Sequence, residues 1–346
     1  MKVLVVNNAV PFIRGGAEEL ADHLVRRLNA TKGVEAELLR IPFRWEPADR
    51  IVEEILLNRN LRLYNVDRAI ALKFPAYLIP HAEKTLWLLH QFRQAYDLYD
   101  SGLSHLCDNG RGAEIMRLVR KADGELFGTC RRIFTNSPVT QGRLRKFNAV
   151  DSTVLYPPLN DPCRFMGGEY GSYIFAGGRV GPGKRQHLLV EAMRYVRSHV
   201  SLVIAGPPDN EAAGTELEEL VAMHQLSGRV ELRLGYRARD EIAALANGAL
   251  ACAYLPIDED SLGYVTMEAF AAAKAVVSVE DAGGVLEIVR DGETGLVVWP
   301  DPEAIAVAFD RLAGDRSRTR AMGRAAKELL QSKNITWEAT ITRLLD

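Results

Sequence analysis

Short apolar runs that stop at glycine, asparagine or proline, each followed by a helical pattern, recur from one end of this chain to the other. Residues 2–6 form the first run, a β-branched segment ending at Asn7-Asn8, and Gly15-Gly16 then precedes a helix with Leu20, Leu24 and Leu28 spaced by four. Residues 34–39, 69–72, 84–89, 132–135 and 154–156 read as further strands. Residues 113–126 and 140–147 read as helices, and 42–60 as helix or loop. Residues 160–171 show little periodicity and carry Pro162, Gly167, Gly168 and Gly171. The rhythm then restarts, with strands at 173–176, 201–205, 230–234, 249–255, 275–279 and 296–299. Helices follow at 187–196, 217–224, 240–246 and 267–275. Near-continuous apolar strands alternating with helices define a parallel sheet covered on both faces. The pattern predicts two doubly wound α/β domains, 1–165 and 166–332; the last helix, 333–346, is expected to pack back on the first. A length of 346 residues accommodates both. Ligands of such sheets bind outside the carboxyl ends of the strands, and two facing domains make a cleft.

The loops at those ends carry the chemistry. Asp258-Glu259-Asp260-Ser261-Leu262-Gly263-Tyr264-Val265-Thr266-Met267-Glu268 joins a strand to an Ala-rich helix. Gly263 admits close approach of a ligand. The amides of Gly263, Tyr264 and Val265 fall near the helix N-terminus, where free N–H groups and the helix dipole favour a phosphate. Asp260 and Glu268 are carboxylates on either side of that cradle. An acidic loop capping an ordinary core helix is the plainer alternative. Upstream, Gly177-Gly178-Arg179-Val180-Gly181-Pro182-Gly183-Lys184 sets two cations among glycines. His90 closes the strand 84–89 on the ligand rim; a lone histidine is more often structural, so its position alone gives it weight. Tyr96–Tyr99 reads as a packing or acceptor-side surface.

Composition closes several other routes. The formal net charge of −2 gives no basic field for nucleic acid. No stretch approaches 18 uncharged apolar residues, so no transmembrane helix is expected, and the opening residues do not read as a signal peptide. Cys107, Cys130, Cys163 and Cys252 have no C-x-x-C or metal-ligand spacing and are expected as reduced thiols of a cytoplasmic protein. A nicotinamide dehydrogenase would need G-x-G-x-x-G in the first turn, which Asn7 to Gly16 lacks.

Gly178-Arg179 with Lys184, the run Asp260 to Glu268, and Gly283-Gly284-Val285-Leu286-Glu287 with Asp291-Gly292-Glu293-Thr294-Gly295 resemble the carboxyl-terminal half of the retaining glycosyltransferases of family 4. These have the GT-B fold, two Rossmann-like domains facing a central cleft. Their two glutamates separated by seven residues correspond to Asp260, one methylene shorter, and Glu268. Gly15-Gly16-Ala17-Glu18 and His90 resemble the amino-terminal half more loosely.

The resemblance implies a retaining hexosyltransferase that moves a sugar from a nucleotide-diphosphate donor to a sugar or lipid-linked acceptor. Arg179 and Lys184 would hold the diphosphate, and Glu268 the ribose. Asp260 and the amides of Ser261, Leu262, Gly263, Tyr264 and Val265 would hold donor sugar and phosphates. Gly15 and Gly16 would close on the diphosphate, His90 would touch the donor sugar, and Gly235, Tyr236 and Arg237 would frame the base. Asp260, His90, Arg179 and Lys184 are the implied catalytic set, with no cofactor. Asp258-Glu259-Asp260 spells the D-x-D of another glycosyltransferase fold, so no metal site is read there. A peripheral position at the inner membrane face is part of the expectation, and acceptor choice is expected to lie in residues 42–100. A nucleotide-sugar epimerase and a non-catalytic nucleotide-sugar-binding module on the same fold are the rival readings.

Overall fold

The computed structural model describes residues 1–107 and 110–346. The chain divides into two compact units, Met1–Pro158 with Thr336–Asp346, and Leu159–Ile335.

The first unit contains β1 (Lys2–Ala9), α1 (Gly16–Asn29), β2 (Glu35–Pro42), α2 (Arg50–Asn60), β3 (Arg68–Lys73) and β4 (Lys84–His90). A short α3 (Asp97–Asp100), α4 (Gly112–Phe127), β5 (Arg132–Thr135), α5 (Pro138–Asn148) and β6 (Thr153–Val154) follow. The strands pair in the order β2-β1-β3-β4-β5-β6, all parallel. Alternate residues of β1 serve opposite faces, as the period of two requires. Val3 and Val5 pack with Leu20, Leu24 and Leu28 of α1, whereas Val6 packs with Ile51 and Ile55 of α2 and Ile115 of α4. β1 continues past the expected stop at Asn7-Asn8, because its pairing with β2 runs on to Ala9. Tyr96 is fully buried, which selects packing over an acceptor-side surface for that residue. Its hydroxyl donates to the buried carboxylate of Asp123 at 2.7 Å.

The second unit runs β7 (Tyr173–Gly177), α6 (Gln186–Ala192), β8 (Ser201–Gly206), α7 (Glu211–Met223), β9 (Val230–Leu234), α8 (Arg239–Gly248) and β10 (Ala251–Ala253). It continues with α9 (Tyr264–Ala271), β11 (Val276–Val279), β12 (Gly295–Val298), α10 (Pro302–Gly314) and α11 (Arg316–Ser332). Its order, β12-β11-β10-β7-β8-β9, is the Rossmann order 3-2-1-4-5-6 read from the β9 edge. The direction of strand addition reverses between β7 and β10, and the loops leaving those two strands diverge there to open a crevice. α9 begins at Tyr264, three residues before the expected start, because Gly263 at φ +75° ends the loop and serves as N-cap. Residues 284–287 form a short 3-10 turn.

The chain's last helix, α12 (Trp337–Leu345), belongs to the first unit. Trp337, Ile341 and Leu344 bury against the α1 face. The Thr336 hydroxyl caps α12 by accepting from the Ala339 amide at 3.2 Å. No helix among the described residues is long and apolar enough to cross a membrane.

Candidate nucleotide-sugar site

The crevice of the second unit is built by backbone packing first. The Gly206 Cα at the end of β8 lies against the loop after β7. A Cβ there would sit 1.9 Å from the Gly178 carbonyl oxygen, so no side chain fits. A Cβ on Gly178 would come within 3.0 Å of the Val265 side chain. The loop after β7 therefore touches the first turn of α9, bringing together two residues far apart in sequence. Gly181 lies against Asp209, whose carboxylate would have to shift to admit a Cβ, 2.1 Å away as placed.

Side chains then tie the loops. Arg185, 8% exposed, donates through Nε to the Leu255 carbonyl at 2.9 Å and through a terminal nitrogen to the Pro256 carbonyl at 2.7 Å. Its terminal nitrogens also bond both oxygens of Asp281, at 3.0 and 2.6 Å. The Ile257 amide donates to the Gly183 carbonyl at 2.9 Å, and the Asp258 amide to that of Asp281 at 2.8 Å. One planar guanidinium thus joins the loops after β7, β10 and β11, a geometry lysine cannot reproduce.

Lys184 is held rather than mobile. Its ammonium donates to the Tyr254 hydroxyl at 2.8 Å and to Glu259 Oε2, and the Tyr254 hydroxyl donates to the same oxygen at 2.7 Å. Burial pushes the Glu259 carboxyl upward. The Lys184 charge, the bonds from Lys184 and Tyr254, and the Ser261 amide outweigh this and hold it below its ordinary range. Burial, with the Glu259 charge, pushes the Tyr254 hydroxyl well up, so it remains a donor. Arg179 is more exposed and pairs with Asp209 at 2.7 Å.

Beyond Lys184 the loop leads into α9. Gly263 packs on Tyr254, whose ring would lie 2.7 Å from an added Cβ. Its amide donates to the Ser261 hydroxyl at 3.2 Å. The first-turn amides of α9 have no intrahelical acceptor and are suited to an anion. Asp260 and Ser261 are half-buried and Leu262 is buried. The Glu268 side chain is 9% exposed and pairs with Arg239 at 2.5 Å. That guanidinium also lies over the Phe165 ring at 4.8 Å. Arg237 instead folds back on its own loop, donating to the Leu234 carbonyl at 2.7 Å, and Tyr236 is 66% exposed. Gly235 joins the neighbouring loop through its amide, which donates to the Gly206 carbonyl at 3.0 Å.

In the first unit, Gly15 and Gly16 start α1 at the carboxyl end of β1. The Gly15 amide donates to Glu18 at 2.9 Å, and Glu18 pairs with Lys73 of β3 at 3.1 Å. Lys73 is in register with His90 of β4. His90 is half-buried, with Nδ1 2.7 Å from the Gln91 carbonyl. A groove of about 1050 Å³ in the second unit lies instead at the amino ends of its strands, lined by Ser172, His199, Leu250 and Asp310. It has no part in this site. No group of three His, Cys, Asp or Glu among the described residues is arranged to hold a metal.

Sequence reasoning missed Tyr254, Glu259, Arg185, Asp281 and Arg239. Adjacent Lys184-Arg185 gives no sign of which cation faces the ligand rim and which is buried. The available signal was the ring of Tyr254 near the end of an apolar run and a third acid inside Asp258-Glu259-Asp260.

The two six-stranded parallel units are the two Rossmann-like domains of the GT-B glycosyltransferase fold. Residues 169–329, which contain the loops described for the second unit, match the family described as glycosyl transferases group 1. The chain is 31% identical over 204 residues to alpha-maltose-1-phosphate synthase of Mycolicibacterium smegmatis, covering 52% of this chain and 50% of that one. It is 30% identical over 196 residues to a D-inositol 3-phosphate glycosyltransferase of Kineococcus radiotolerans, covering 49% and 42%. Each match thus spans about half the length of the relative or less. Among solved structures, Anabaena HepE in complex with UDP and glucose superposes with a TM-score of 0.74 at 16% identity, covering 100% and 98% of the two chains. Sucrose-phosphate synthase of Thermosynechococcus elongatus gives 0.79 at 17%, covering 99% and 97%. At such identities the likeness is one of fold.

Proposed function

We propose that this chain is a glycosyltransferase of the retaining family 4 type. It moves a hexosyl group from a nucleotide-diphosphate sugar to a hydroxyl of a sugar or lipid-linked acceptor in glycan or cell-envelope synthesis. The observation that carries the reading is the meeting of Gly178 with Val265 at the α9 N-terminus, on the same loop that delivers Lys184. A diphosphate there meets helix amides and an ammonium together. As the bond from the anomeric carbon to the diphosphate breaks, negative charge grows on the leaving oxygen. Preorganised donors stabilise that charge more than they stabilise the bound donor. The new bond forms to the acceptor oxygen, whose proton passes to the departing diphosphate oxygen.

Glu268, fixed by Arg239, accepts from the ribose hydroxyls. Asp260 accepts from the donor sugar, and His90 is assigned a contact with that sugar. The reading takes the reaction to need no metal and places the protein in the cytoplasm, with peripheral contact to a membrane face. The family match over 169–329 supports the donor side, and the UDP and UDP-glucose complexes of HepE support a nucleotide-sugar ligand.

The test is a thermal-shift screen of UDP-, GDP-, ADP- and TDP-sugars, followed by turnover with candidate acceptors. A donor at about 100 times its dissociation constant adds roughly 2.7 kcal/mol to stability. Lys184→Ala is expected to lower turnover by on the order of 100-fold with the fold intact. Full turnover in Lys184→Ala would sink the assignment.

A further inference from the structure

Of the three successive acids Asp258, Glu259 and Asp260, the middle one accepts from the Lys184 ammonium. Its side chain is 17% exposed, and its Oε2 receives both Lys184 and the Tyr254 hydroxyl. Two of the three ammonium hydrogens are thereby committed, to Tyr254 and Glu259, and one is left for a ligand. The backbone fixes the carboxylate as well. The Glu259 amide donates to the Ala282 carbonyl at 3.1 Å, and its carbonyl accepts from the Gly284 amide at 2.7 Å. The Tyr254 ring is in turn backed by Gly263, where any side chain would strike it.

We infer that Glu259 and Tyr254 are positioning residues that aim the Lys184 ammonium with one donor toward the diphosphate. This rests on the diphosphate role proposed above for Lys184. A four-carbon stem left alone would sample many rotamers, and fixing it beforehand removes that cost from the transition state. A carboxylate beside the phosphates also opposes their charge. The arrangement therefore trades ground-state affinity for geometry. Removing the charge frees the lysine and strengthens the attraction of the loop for a diphosphate. A merely structural role has the opposite signature, with weaker donor binding and a less stable fold together.

The experiment uses the full chain with Glu259→Gln, Tyr254→Phe, Lys184→Met and the Glu259→Gln/Lys184→Met double variant. Without any known donor, the rate of Lys184 acylation by acetic anhydride is followed by mass spectrometry, with UDP, GDP and ADP as protectants. Lysine is acylated as its free amine after losing a proton, so loss of an acceptor that holds the protonated form is expected to raise labelling about fivefold in Glu259→Gln and about twofold in Tyr254→Phe. Equal labelling rates in wild type and both variants overturn the positioning role. Absence of protection by every nucleoside diphosphate overturns the diphosphate reading instead. With a donor in hand, Glu259→Gln is expected to lower kcat by about tenfold while donor KM stays level or falls. The loss is expected to vanish when Lys184 is already methionine. A tenfold loss that persists beside Lys184→Met, or a raised KM with unchanged kcat, overturns the inference while leaving the Lys184 assignment standing. Tyr254→Phe keeps the buried ring, so the labelling test holds even where Glu259→Gln fails to fold.

Discussion

Asp123 offers a stability prediction whose size follows from its surroundings. It is completely buried on α4 beside Tyr77 and Tyr96, whose hydroxyls donate to its Oδ2 at 2.9 and 2.7 Å. Its other oxygen has no hydrogen-bond partner among the described residues. Burial pushes the carboxyl from 3.8 up to about 7, against the two tyrosine bonds, which pull it down. The folded value lies above the unfolded one. Through that window the native state holds a proton that the unfolded chain has released, so stability falls as pH rises. At about 1.36 kcal/mol per unit, the full effect is about 4 kcal/mol above the folded value. Roughly a third of it is already present near pH 5, so raising the pH to about 8 removes roughly 2 to 3 kcal/mol more.

Asp123→Asn keeps one carbonyl oxygen for the tyrosines and cannot ionise. Its stability relative to wild type is therefore expected to improve by roughly 2 to 3 kcal/mol over that interval. Lys84, which burial lowers to about 8, donates to the Tyr77 carbonyl at 3.0 Å. Its titration is common to both proteins and largely cancels in the difference. Urea unfolding followed by tryptophan fluorescence is a suitable assay, because Trp87 and Trp337 are buried in the first unit while Trp299 of the second is 67% exposed. A difference between the two proteins that stays constant within about 0.5 kcal/mol across the interval would refute the reasoning.

Three further outcomes are expected. Glu268→Gln mainly raises donor KM, because the ribose does not react, whereas Asp260→Asn mainly lowers kcat; steady-state kinetics with an identified donor distinguishes them. Transfer survives EDTA, and its abolition with restoration by Mg²⁺ or Mn²⁺ would show that the acidic triplet is a metal site. Gly206→Ala, whose Cβ would meet the Gly178 carbonyl, loses at least about 2 kcal/mol of stability and weakens donor binding together, read by melting and by titration.

The fold and the candidate site were legible from the sequence to different depths. Residues 132–135 and 230–234 are the same strands in both readings, since the β-formers Ile133, Phe134 and Thr135 and the alternation of Val230, Leu232 and Leu234 with Glu231 and Arg233 are local strand signals bounded by loops. Leu20, Leu24 and Leu28 are buried on one helix face for the same local reason. Helix starts were less legible: α9 begins at Tyr264, after Gly263 as N-cap, through a backbone angle that no apolar period reports.

By itself, then, the sequence determined the alternation of strand and helix and the glycine- and charge-bearing loops that leave the strands. Both follow from local spacing and from the residue types a turn or a phosphate demands. Only the tertiary structure decided which charge meets which. Lys184 and Glu259 are 75 residues apart, and Arg185 and Asp281 are 96 apart. Neither pair has a sequence period to announce it. They meet because β7, β10 and β11 lie side by side at the switch point of the sheet, so the loops leaving them converge, and strand order is set by the summed burial of both faces rather than by any one loop.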